Sequence, residues 1–238
     1  MKNDIKAYGS AEDYLNFQDI RPDYTKAILA FLSLARKYLK NKKDVVSADF
    51  CSGPGQNTLK LTEAIGKVKK SILIDINEGF IKKSKSLDIK TERLETIYSD
   101  ASKVVVKDKC DVVLSLFAYH HIEDNKKDEY IKRMKNCLKG NGIIILAEIY
   151  LPNKEIEIKY YDKLFASISK GKVVPGLKEF LDETARSTNF EFKVSKDFAD
   201  KQFSENGLEK IEEIKIWPLD NSFSNGVGMF LQVYRLGA

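Results

Sequence analysis

Val45-Val46-Ser47-Ala48-Asp49-Phe50-Cys51-Ser52-Gly53-Pro54-Gly55-Gln56-Asn57-Thr58 decides the fold of this 238-residue chain. Its apolar start predicts a buried strand that ends on an acid and turns through two glycines into a helix. Glycines let the backbone come close to a ligand, and a helix N-terminus offers unpaired N–H groups and a positive dipole end. A dinucleotide turn would read G-x-G-x-x-G, with a third glycine for close helix packing. Thr58 stands where that glycine is expected. No Gly-Lys-Ser/Thr follows, so the turn is not a P-loop. An acid ahead of the turn suits a ligand carrying an ammonium group better than a pyrophosphate.

On either side of the turn, strands and helices alternate. Pro22 to Lys40 has its apolar residues at helical spacing, with Pro22 in the first turn. Strands are expected at Val45 to Phe50, Ser71 to Ile76, Thr96 to Tyr98, Asp111 to Phe117 and Gly142 to Ile149. Helices are expected from about Gln56 to Ile65, Phe80 to Leu87 and Lys126 to Leu138. Near-continuous apolar strands between helices predict a parallel sheet covered on both faces. Glu155 to Ser169 and Lys178 to Thr188 are further helix candidates. Glu209 to Trp217 and Gly226 to Arg235 read as a closing antiparallel hairpin. The expected fold is α/β, a Rossmann-like doubly wound sheet in three αβα layers. One domain spans 1–238, with an N-terminal helical lid at 1–43 and a helical cap insert at 151–203.

The composition excludes several classes. The net charge of +5 comes from 40 basic and 35 acidic residues, but only six of the basic ones are arginine. Without an arginine stripe to read phosphates and base edges, nucleic acid is not the expected partner. Cys51, Cys110 and Cys137 lack C-x-x-C spacing and suit reduced core thiols. No signal-peptide core and no membrane-length apolar run is present, so a cytoplasmic, soluble monomer or homodimer is expected. No metal site is expected from the spacing.

Ligands of such sheets bind outside the carboxyl ends of the strands. Asp49, Asp75 and Asp100 end three successive predicted strands, placing one acid at each. Asp75 is positioned to accept ribose hydroxyls, and Asp100 to accept from a purine amine. With D-F-C-S-G-P-G (49–55), L-I-D-I (73–76), Y-S-D-A (98–101), C-D-V-V-L-S-L-F-A-Y-H-H-I-E-D (110–124) and L-K-G-N-G-I-I-I-L-A-E (138–148), the chain resembles a class I S-adenosylmethionine (SAM)-dependent methyltransferase. A-E-D-Y-L-N-F-Q-D-I-R-P-D-Y (11–24) and S-E-N-G-L-E-K-I-E-E-I-K-I (204–216) extend the resemblance, which is with the small-molecule type. Cys51, in place of the motif's first glycine, departs from it, as does Asn141 in the fifth-strand segment.

The resemblance implies that Asp49 lies near the methionine ammonium and that Cys51, Gly53 and Gly55 wrap the methionine moiety. It implies a ribose site at Asp75 beside Ile76, and an adenine site at Asp100 and Ala101. Asn77 and Phe117 are further implied contacts, and Tyr14 and Arg21 would close over the carboxylate. The implied activity is methyl transfer from SAM to a small organic acceptor at oxygen, nitrogen or carbon, leaving S-adenosylhomocysteine (SAH). His120 and His121, the only histidines, follow the fourth strand and are the candidate bases, with His121 favoured; packing beneath the cofactor is the other use for the pair. Glu148 and Tyr150 are candidates to orient the substrate. An RNA- or protein-modifying methyltransferase stays open as an alternative. So does a protein that binds SAM or SAH without methylating, of carboxymethyl or regulatory type.

Overall fold

The computed structural model describes residues 18, 20–66, 68–168, 173 and 175–237. Its strands are β1 (Val46–Phe50), β2 (Val68–Asp75), β3 (Thr91–Tyr98), β4 (Cys110–Leu116), β5 (Leu138–Tyr150), β6 (Leu208–Trp217) and β7 (Gly228–Leu236). They form one sheet in the order β3-β2-β1-β4-β5-β7-β6. The first five run parallel, while β7 lies antiparallel to both β5 and β6. The chain winds outward from β1 to β3, then crosses back to β4. The β1/β4 gap is therefore the switch point at which open α/β sheets take ligands.

The helices are α1 (Pro22–Leu39), α2 (Gln56–Ile65), α3 (Glu78–Ser84), α4 (Lys127–Asn136), α5 (Lys154–Ser167), α6 (Leu177–Arg186) and α7 (Lys196–Glu205). The side-chain alternation of β5 explains the three layers. Ile143, Ile145, Ala147 and Ile149 join a core with α1, α2, α5 and α6, whereas Ile144, Leu146 and Tyr150 join one with α4 and α7. A strand apolar on both faces needs cover on both sides. In α1, Phe31 and Ala35 are completely buried and Leu34 nearly so; each large side chain contributes about 1.5–3 kcal/mol of burial. Tyr38 Oη also donates to Glu212 Oε2 at 2.6 Å, pinning the helix to the edge strand β6.

β2 and β5 begin at Val68 and Leu138, ahead of the expected Ser71 and Gly142, and two elements differ further. β3 starts five residues earlier than the apolar signal, because as an edge strand it carries Glu92 and Arg93 on exposed positions that hide its period. Helix α7 was not anticipated. Only Ala199 and Phe203 of it are buried, too few for a visible stripe, although Ser195 caps it by accepting from Phe198 N at 3.3 Å. Phe203 stacks on Tyr234 with ring centroids 4.4 Å apart. The C-terminal part of the 151–203 segment thus packs on the opposite face from α5 and α6.

Candidate functional site

The turn after β1 uses three left-handed residues in five positions: Cys51 at φ 58°, Gly53 at 54° and Gly55 at 89°. Gly55 is required twice over. Besides its φ, an added Cβ would meet Leu73 Cδ2 and Ser84 Cβ at 3.0 Å, so close packing on β2 and α3 needs glycine here. At Gly53 a Cβ would meet nothing within 4 Å, so its backbone faces open space. Cys51 holds a conformation costing about 1–3 kcal/mol for a side-chain-bearing residue, strain of the kind that collects at binding turns. Asp49 is almost completely buried, and burial pushes its carboxyl up to about 7. Thr58, in the third-glycine position, donates its hydroxyl to Asp49 Oδ2 at 2.7 Å. The residue that breaks the dinucleotide pattern therefore orients the acid.

Asp75 ends β2 at the rim of this turn. Its Oδ2 accepts from Gly53 N and its Oδ1 from Asn77 N, both at 2.8 Å. Each oxygen keeps acceptor capacity for a ligand hydroxyl. Burial raises the Asp75 carboxyl, while the Asn77 and Gly53 N–H groups pull it back. Ile76, next along, is unusually exposed for a large aliphatic residue at 40%. The Asn77 side chain is engaged as the N-cap of α3, accepting from Gly79 N and Phe80 N. Asp100 Oδ1 accepts from the Ser102 N–H and hydroxyl, folding the loop after β3 over buried Ala101.

Beyond the switch point, Phe117 follows β4 at φ 57° and donates its N–H to Ala147 O at 2.7 Å. A short 3₁₀ turn then presents His120 and His121. The two rings receive different partners. Glu148, buried on β5, accepts from His120 N at 3.1 Å and Ile149 N at 2.6 Å, and its Oε1 sits against His120 Nδ1. Two backbone donors favour the ionised form of Glu148, and with that form the His120 proton is assigned to Nδ1 and the Nε2 lone pair to the cavity. Burial holds the imidazole well below its ordinary pKa, and pushes Glu148 up to about 7. His121 Nδ1 instead lies 2.9 Å from Phe190 O.

Sequence reasoning did not reach Glu191 and Lys193. Both are buried beside the histidines, on an irregular segment strapped to their turn. Phe192 N donates to His120 O at 2.7 Å, and buried Lys127 donates Nζ to Phe192 O at 2.8 Å. Glu191 Oε2 lies 3.6 Å from His120 Nε2, and Oε1 3.8 Å from His121 Nδ1. Although burial opposes its charge, the Lys193 ammonium beside it holds the Glu191 carboxyl down at about 2. A cavity of about 30 Å³, room for a water or two, opens between these groups and Arg21, Phe117, Tyr161 and Phe180. Arg21 is buried in a pair with Asp23, Nη2 to Oδ2 at 2.8 Å. His121 is near enough to Asp75 for charge on its ring to favour that carboxylate, which links the two halves of the site. Tyr14 lies outside the described residues.

Residues 48–142 match the family model of a methyltransferase domain. That span runs from β1 through the strand ends bearing Asp75 and Asp100 to the start of β5. Demethylmenaquinone methyltransferase of Staphylococcus aureus is 24% identical over 197 residues, covering 82% of this chain and 77% of that protein. Among solved structures, an S-adenosylmethionine-dependent methyltransferase from Clostridium acetobutylicum superposes with a TM-score of 0.61 at 14% identity, covering 90% of this chain and 92% of that one. The plantazolicin methyltransferase BpumL in complex with SAH gives 0.66 at 12% identity, covering 98% and 93%. Sheet order and domain match agree: residues 48–142 carry a methyltransferase domain, set in the fold that the class I SAM-dependent methyltransferases share.

Proposed function

We propose that this chain binds SAM across the Asp49–Gly55 turn and the ends of β2 and β3, and transfers its methyl to a small organic acceptor at oxygen, nitrogen or carbon. In this reading Asp49 faces the methionine ammonium, with Cys51, Gly53 and Gly55 along the methionine chain. Asp75 accepts the ribose hydroxyls beside Ile76, and Asp100 and Ala101 border the adenine. Asn77, its side chain spent as a helix cap, acts by giving its N–H to Asp75 and so holding that carboxylate, and Phe117 separates cofactor from acceptor. Arg21, on the lid side, is held by its pair with Asp23. The observation that carries the proposal is the Gly53 approach, open to a ligand and tied by its N–H to Asp75.

Methyl transfer is a direct displacement at a sulfonium, so alignment and exclusion of water do most of the catalysis. The cavity beside Phe117, with room for a water or two as it stands, marks where the reacting atom of an acceptor would come to lie, with α5 and α6 as its cap. His120 Nε2, aimed by Glu148, takes up the proton that an acceptor hydroxyl or amine releases. The aromatic lining from Phe117, Tyr161 and Phe180 supports a small organic molecule over a nucleic acid. No helix of the described residues is long and apolar enough to cross a membrane. A whole-cell extract that keeps its metabolites, RNA and protein, incubated with the enzyme and methyl-labelled SAM, tests the acceptor class. Label in a small molecule is expected; label only in RNA or protein overturns it.

The raised Asp49 carboxyl gives cofactor binding a pH signature. In the empty protein burial favours the protonated acid, so this group costs stability as pH climbs from its unfolded value, about 4, towards 7. An ammonium ligand needs the ionised form. SAH affinity should therefore rise through pH 7 and fall again near pH 8, roughly where an α-amino group loses its proton. Calorimetry across pH 5.5–9 reads this. Asp49→Asn should remove the rising limb, and a flat profile in the unaltered enzyme would take Asp49 away from the ammonium.

A further inference from the structure

We infer that His120, His121 and Glu191 form a binding site for one divalent transition-metal ion in the acceptor cavity. One ligand atom from each lies within 4.8 Å of the others. Donors bonded at about 2.0–2.2 Å to one ion stand roughly 3–4 Å apart. The 3.6 Å separation of Glu191 Oε2 from His120 Nε2 already has that size, while His121, whose Nδ1 gives its proton to Phe190 O at 2.9 Å, would ligate through its other ring nitrogen. Two imidazoles and a carboxylate with room alongside suit zinc, cobalt, manganese or ferrous ions.

A second observation points the same way. Metal-binding histidines usually give their other ring nitrogen to a carboxylate, which fixes the tautomer and strengthens the ligand. Glu148 does this for His120 from beneath the sheet end. The third ligand comes from a distant segment held by the Phe192–His120 and Lys127–Phe192 hydrogen bonds, so the three donors share one rigid support. Lys193 is the competing cation. Its ammonium pairs with Glu191 Oε2 and neutralises the carboxylate while no ion is present. A bound ion would lower the pKa of an acceptor hydroxyl on it. It would also occupy the His120 nitrogen, so the metal-loaded and chelated enzymes should differ in their pH profiles.

The test is titration of the full chain, freed of metal with a chelator, with Co²⁺ followed by visible absorption and with Zn²⁺ followed by calorimetry. One saturable equivalent with d–d bands is expected. Glu191→Gln and His120→Ala should each weaken binding by roughly 10-fold or more, and Glu148→Gln by about 10–100-fold through the outer shell. Lys193→Met should tighten binding, a change that a merely structural lysine would not produce. SAH binding serves as the check that each variant is folded. Absence of a saturable band overturns the site, as does an affinity indifferent to both Glu191→Gln and Lys193→Met in folded protein.

Discussion

Asp75→Ala should lower SAH affinity by roughly 10²–10⁴-fold while leaving the fold intact. Hydrogen bonds to a charged acceptor contribute about 1.5–3 kcal/mol each, and the two ribose hydroxyls would lose both. The substitution also releases Gly53 N and Asn77 N, which Asp75 holds at 2.8 Å, so the turn loses the tether that shapes it. The fold tolerates the change because burial already disfavours the Asp75 charge. Calorimetry with SAH measures the affinity, and thermal unfolding of the unliganded protein checks the fold. Unchanged affinity would remove Asp75 from the ribose.

His120→Ala should lower turnover by roughly 10²–10⁴-fold, the usual contribution of a positioned proton acceptor, with SAH affinity nearly unaltered. Glu148→Gln keeps the shape of the carboxylate but removes the charge that directs the Nδ1 proton. It should cost less than loss of the ring and move the pH–rate profile. His121→Ala should cost less than His120→Ala, because a backbone carbonyl and not a buried acid holds its Nδ1. Single-turnover rates with labelled SAM and the acceptor found in the extract separate these effects. A His120→Ala enzyme at full speed would show that the acceptor needs no proton taken up there.

What could be read from the chain follows from how local each signal is. Asp49 lies one residue before the end of β1, Asp75 ends β2 and Asp100 lies two residues past β3, so spacing alone puts them at one sheet edge. Helix α2 begins and ends within a residue of its glycines, Gly55 and Gly66. Helix α7 escaped because its cap at Ser195 was its main signal. At the site, Thr58 was visible only as a missing glycine, and its bond to Asp49 needed the folded turn. Of the two histidines the sequence reading favours His121; the Glu148 carboxylate from β5, set against His120 Nδ1, is the reason to prefer His120 instead. Glu191 and Lys193 were beyond reach, since about seventy residues separate them from the histidines and only the strap at Phe192 joins them.

The most direct measurement is a calorimetric titration of the unaltered protein at pH 7.5 with SAH, with NAD as the comparison. One equivalent of SAH binding, competed by SAM and absent with NAD, is the predicted result. No binding of either adenosyl ligand, with saturable binding of NAD, would contradict the assignment of the Asp49–Gly55 turn.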